Sequence, residues 1–171
     1  MKRRTALVLL SEAGLAGLVL AGCGFTLRSS QDFGFSSLAI LPSPGGAVAA
    51  ELRRSFGAAV NVLASGAPVT SAQVVLELLQ EQREKIVVGV SSSGQVREFQ
   101  LRIRVKFRVS SGDGKELLPT TEMVQQRDIS FTESAALAKE AEEALLYRTM
   151  QTDIVQQLVR RLATLAHAAR P

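Results

Sequence analysis

Between Glu98 and Val109 the chain alternates without a fault. Phe99, Leu101, Ile103, Val105, Phe107 and Val109 fall on one parity, and Glu98, Gln100, Arg102, Arg104, Lys106 and Arg108 on the other. Such a period of two fits an extended strand with one buried face, because a helix would scatter the same apolar residues around its circumference. The chain must therefore build a sheet with a core on one side and a basic surface on the other. The run is about twice the usual strand length of five or six residues, so the strand is expected to extend beyond the helices that cover its core.

The flanks of this strand predict its neighbours. Ser91-Ser92-Ser93-Gly94 reads as a turn, preceded by a long extended segment from Ala72 to Val90. Val74, Leu76 and Leu78 alternate there with Val75, Glu77 and Leu79, and Ile86, Val88 and Val90 resume the first parity. The polar stretch Gln80 to Lys85 interrupts the pattern. It fits a bulge, a strand that has run past its core, or a helical turn, since these residues favour helix intrinsically. Downstream, Ser111-Gly112-Asp113-Gly114 predicts a hairpin turn and a return strand from about Glu122 to Phe131.

Ahead of these, Ser37 to Leu41 reads as a short buried strand stopped by Pro42 and Pro44. A helix follows from about Ala47 to Val60, with Leu52, Phe56 and Val60 on one face. A strand, a helix and a strand in that order predict a crossover and parallel pairing. The last third reads as one long helix, with Thr132 as its cap and Glu133 in its first turn. Leu137, Ala141, Leu145, Ile154, Leu158, Leu162 and Leu165 supply its apolar stripe. The expected fold is α+β, with two helices on one face of a four-stranded mixed sheet in the order β-α-β-β-β-α.

The N-terminus carries a different kind of signal. Lys2, Arg3 and Arg4 precede an apolar run broken only by Ser11 and Glu12, which ends in Leu20-Ala21-Gly22-Cys23. A bacterial lipoprotein signal has this form, in which the cysteine thiol accepts a diacylglycerol before cleavage makes it the new N-terminus. A membrane-spanning helix would need a longer run without Glu12 in its middle. Residues 1–22 are thus read as the signal peptide, 23–36 as a lipidated tether, and 37–171 as one domain. Acyl chains on Cys23 would hold the domain to a membrane without any spanning helix. Gly24, rather than an aspartate, follows the cysteine, and the resemblance to other Gram-negative lipoproteins implies sorting to the outer membrane, with its periplasmic face as the expected location. Cys23 is the only cysteine, so a lipidated chain has no thiol left for a disulfide or a metal.

Several function classes fall away. Three of the cations behind the formal charge of +4 lie in the signal, which argues against nucleic acid as a partner. The single histidine, His167, sits in the last helical turn with no nucleophile to serve. Glu140, Glu142 and Glu143 have no His or Cys beside them and read as a solvated acidic face. Neither an enzyme nor a cofactor site is indicated. Arg102, Arg104, Lys106 and Arg108 remain. They fit either an exposed sheet face kept polar against aggregation or a surface for an anionic, phosphorylated partner.

Four short motifs in order resemble the LPS-assembly lipoprotein LptE (RlpB) family. They are Cys23-Gly24-Phe25-Thr26-Leu27-Arg28, Gly94-Gln95-Val96-Arg97-Glu98-Phe99-Gln100-Leu101, Arg127-Asp128-Ile129-Ser130-Phe131, and Leu137-Ala138-Lys139-Glu140-Ala141-Glu142-Glu143 with Leu158-Val159-Arg160-Arg161-Leu162. The resemblance implies two helices on a four-stranded sheet, seated as a plug in the outer-membrane β-barrel LptD. It implies help in assembling that barrel and binding of lipopolysaccharide in transit to the cell surface. Cations at a hairpin tip and at the start of the last helix are implied for the lipopolysaccharide phosphates. Lys139 matches the second position; the Ser91-Ser92-Ser93 tip has no cation, and Lys85 and Arg97 are the nearest. Arg102, Arg104 and Lys106 complete the candidate set. The competing reading is a periplasmic lipid-binding chaperone that carries its cargo in an open apolar cavity without a barrel partner.

Overall fold

The computed structural model describes residues 33–168, with side-chain burial to residue 165. The signal peptide, Cys23 and the greater part of the tether lie outside the described residues. Within them the elements run β1 (Ser37–Leu41), α1 (Ala47–Phe56), β2 (Asn61–Val62), β3 (Val74–Val90), β4 (Val96–Ser111), β5 (Glu116–Ser130) and α2 (Ala136–Ala168). The sheet is ordered β2-β1-β3-β4-β5. β1 is parallel to both β2 and β3, as the crossover requires, while β3, β4 and β5 form an antiparallel meander.

The mixed sheet and two helices agree with the α+β expectation, but the strand count is five rather than four. The order is accordingly β-α-β-β-β-β-α. The additional strand is β2, two residues long, formed where the first helix stops early. That helix does not continue to Val60: Gly57 takes φ +52 at its C-terminus, a conformation that suits glycine and ends the helix one turn sooner. Asn61 and Val62 are then free to pair beside Ser37 and Leu38.

β4 buries the parity its sequence assigns to the core. Leu101, Ile103, Val105, Phe107 and Val109 are all at most 1% exposed. They share one cluster with Leu52 and Phe56 of α1 and with Met150, Ile154, Leu158 and Leu162 of α2. Both helices therefore lie on the same face of the sheet, and burial of these side chains supplies the main driving force for that layer. Phe33 and Phe35 belong to the same cluster, their ring centroids 5.1 and 6.4 Å from that of Phe56. The last part of the lead-in segment is thus packed into the core.

Not all of the predicted helical stripe is buried. Ile154, Leu158 and Leu162 are, but Leu137 and Leu145 are exposed on the far side of α2. A heptad-like count cannot distinguish them, because the stripe drifts around the helix over so many turns. Thr132 precedes a short 3-10 turn, Glu133–Ala135, and its side chain makes no capping bond.

The polar interruption in β3 is a bulge. Pairing with β4 shifts register between Leu78 and Gln80. Before it, Leu76 and Leu78 face Val109 and Phe107; after it, Glu81, Arg83, Lys85 and Val87 face Val105, Ile103, Leu101 and Phe99. One extra residue exchanges the two faces of a strand. Ile86 and Val88 therefore do not resume the parity of Val74. Ile86, opposite Gln100, lies on the outer face, Val88 is the exposed extra residue at a second register shift, and Arg83 and Lys85 take the inner side.

Candidate functional site

The candidate cations separate onto two faces. Arg102, Arg104 and Lys106 point away from the helices, since they alternate with the buried residues of β4. There they meet carboxylates of the neighbouring strands. Glu84 lies 3.6 Å from Arg102 Nη1 and 3.7 Å from Arg104 Nε, and Glu122 lies 3.1 Å from Arg104 Nη1. Arg108 Nε donates to Glu77 Oε2 at 2.5 Å, a bond that pushes the guanidinium further above its ordinary value. Arg102 Nη2 also donates to Gln100 Oε1 at 2.8 Å. Lys106 stands in register between Gln80 and Glu122. The outer face is a ladder of cross-strand pairs rather than a bare basic stripe.

Lys85 and Lys139 meet elsewhere, on the inner side where β3, β4 and β5 pass the start of α2. The bulge turns Lys85 to this side, and the first helical turns present Lys139. Both line a cleft of about 260 Å³ with Phe99, Ile129, Phe131, Glu140 and Glu143. Phe99 and Phe131 form its apolar floor, edge to face with centroids 5.3 Å apart. Lys85 Nζ lies 4.4 Å from the Phe99 ring centroid and 2.6 Å from Glu143 Oε2. Lys139 Nζ donates to Ser130 Oγ at 3.1 Å and to Glu142 Oε2 at 2.8 Å.

Arg97 is not part of this cleft. It is exposed and lines a neighbouring opening with Gln95, Val96, Thr132, Glu133 and Ser134. The candidate site residues thus fall into three places: Arg102, Arg104 and Lys106 on the outer sheet face, Lys85 and Lys139 in the cleft, and Arg97 at its own opening. Sequence reasoning placed Glu142 and Glu143 on a solvated face and missed their pairing with the two lysines. The three-residue spacing of Lys139 and Glu142 is a helical neighbour signal, but no local pattern announces Lys85–Glu143.

Beneath the cleft a polar network ties the layers together. Arg83 Nη2 donates to Gln151 Oε1 at 2.8 Å, and Gln151 Nε2 donates to Glu51 Oε2 at 2.6 Å. The Tyr147 hydroxyl donates to the Glu84 carbonyl at 2.7 Å. Burial, with a smaller effect from the Glu143 carboxylate, pushes the Tyr147 phenol above its ordinary value. No group of His, Cys, Asp and Glu side chains among the described residues is arranged to hold a metal.

The same fold is found in solved structures of bacterial lipoproteins. The solution structure of uncharacterized lipoprotein B from Nitrosomonas europaea superposes with a TM-score of 0.70 at 31% identity, covering 85% of this chain and 94% of that one. The crystal structure of the rare lipoprotein B from Shewanella oneidensis shares the fold, with a TM-score of 0.63 at 22% identity over 75% of this chain and 95% of that one. The family model LptE, described as Lipopolysaccharide-assembly, matches residues 33–162. The LPS-assembly lipoprotein LptE of Photorhabdus laumondii is 35% identical over 92% of this chain and 86% of that protein. Its namesake in Yersinia enterocolitica is 30% identical over 99% of this chain and 80% of that protein. The chain belongs to the LptE family of lipopolysaccharide-assembly lipoproteins. That is a family of assembly proteins and not of enzymes.

Proposed function

We propose that this chain is held by a lipidated Cys23 on the periplasmic side of the outer membrane, where it plugs an LptD-like β-barrel and assists its assembly. In this reading it binds lipopolysaccharide in transit through the cleft between Lys85 and Lys139. The observation that carries the ligand half is the convergence of two lysines, from separate elements, over an aromatic pair. Ammonium groups suit phosphates as point charges, and the Phe99–Phe131 floor offers apolar surface to the adjoining lipid. The cation absent from the Ser91-Ser92-Ser93 tip is thereby replaced by Lys85, farther down the same strand.

The barrel half is supported by the outer sheet face. Among the described residues no helix covers Arg102, Arg104, Lys106 and Arg108, and the ion pairing of the three arginines suits a surface facing the polar, wet lumen of a barrel. The carrier alternative is less well supported. A cleft of about 260 Å³ lies below the usual range for even a drug-sized ligand, roughly 300 to 1,000 Å³, and a lipid with several acyl chains needs far more.

The test is a mild-detergent pull-down of the tagged, lipidated protein from outer membranes, with mass identification of what remains bound. One large β-barrel at equal stoichiometry is expected. Recovery of lipopolysaccharide without a barrel would favour the carrier instead.

A further inference from the structure

Each lysine of the cleft is already occupied by a carboxylate from α2. Glu143 holds Lys85 at 2.6 Å, and Glu142 holds Lys139 at 2.8 Å. Glu140 lines the same cleft, yet no ion pair joins it to a cation among the described residues. We infer that Glu143, which lines the cleft, and Glu142, which reaches Lys139 from beside it, are an internal latch: their carboxylates hold the two ammonium groups that a phosphate would take, and must be displaced when a phosphorylated ligand enters. This rests on the reading of the Lys85–Lys139 cleft as the ligand site.

The physical argument is one of exchange. A phosphate arriving at a free ammonium gains a new ion pair, whereas here it gains one and breaks one, so its net advantage shrinks. The pairs are well placed for such an exchange. Side-chain exposure is 39% for Lys85 and 23% for Glu143, so water can solvate the carboxylate once it swings out. Glu142 is more open still, at 48%. Lys85 also keeps its contact with the Phe99 ring when Glu143 leaves, so the ammonium stays aimed into the cleft. The latch lowers affinity and gives the bound ligand a built-in competitor for release. A protein that passes its ligand onward, rather than storing it, gains from that arrangement.

Binding of purified lipopolysaccharide, and of a dephosphorylated preparation as reference, would be measured for the full lipidated chain and four variants. Glu143→Gln and Glu142→Gln should each bind lipopolysaccharide more tightly, by up to about fivefold, the worth of one exposed ion pair. The dephosphorylated preparation should show no such gain. Glu140→Gln removes the same charge without freeing a lysine, and should change affinity less than either. Lys85→Ala should weaken binding. Unchanged or weaker binding by Glu143→Gln and Glu142→Gln, with Lys85→Ala still impaired, would overturn the latch and leave the cleft standing. An equal gain in Glu140→Gln would reduce the effect to bulk charge and also overturn it. Wild-type affinity in Lys85→Ala would remove the cleft itself, and the latch with it.

Discussion

Glu81, on the inner face of β3, reaches across the sheet to the start of α1, where its Oε2 accepts a hydrogen bond from the Val48 amide at 3.2 Å. The helix has no cap of its own, because its N-cap residue is Gly46. A carboxylate from a distant strand satisfies one of the orphan amides and meets the positive end of the helix dipole. Glu81→Ala should therefore cost about 1 kcal/mol, read as a lower urea midpoint with an unchanged slope. A loss near zero would mean that water caps the helix equally well.

Phe56 is 2% exposed and joins α1 to the two phenylalanines of the lead-in segment. Truncating a buried phenylalanine leaves a cavity as well as losing transfer energy. Phe56→Ala is expected to destabilise the domain by about 3 to 5 kcal/mol. Amide exchange should show the loosening spreading to residues 33–35. Protection there that survives the substitution would show the segment to be anchored by other contacts.

The two faces of the sheet should respond differently to charge removal. Lys85→Ala and Lys139→Ala are each expected to weaken lipopolysaccharide binding by about tenfold, the order of one hydrogen bond to a charged group. Arg102→Ala and Arg104→Ala, whose partners are Glu84 and Glu122 on the outer face, should leave that affinity within about twofold. They should instead reduce recovery of the barrel in the pull-down. The opposite pattern would move the ligand to the outer face.

Tyr147 supplies a pH signature. Burial holds its phenol protonated to higher pH than in the unfolded chain, where it titrates near 10. The folded state therefore keeps a proton that the unfolded state begins to lose. Stability from this group is fully present below pH 10 and declines as the pH rises through the folded value. Tyr147→Phe should lose about 1 kcal/mol at neutral pH with its bond to the Glu84 carbonyl. Urea midpoints compared between pH 8 and 11 should also fall less steeply for the variant than for the parent. Parallel curves would assign the alkaline loss to other groups.

The alternation of β4 and the turns at Ser91–Gly94 and Ser111–Gly114 are local properties, and the sequence by itself determined them. A twelve-residue apolar parity has only one regular conformation that buries it, and its partner strands follow from two short turns. The crossover through α1, and with it the parallel pairing of β1 and β3, was equally legible from element order. The family resemblance rested on motifs of the same local kind.

Lys85 was not placed by any such pattern. Its parity within β3 reads as matching neither face consistently, because Gln80 to Lys85 is polar throughout. Only pairing against β4 positions the bulge, and the bulge sets Lys85 beside Phe99 and opposite Glu143. The same register shift carries Ile86 outward and Glu81 inward to α1. Strand periodicity records faces only up to an inserted residue. Beyond it the assignment depends on long-range pairing and packing, which tertiary structure alone decides.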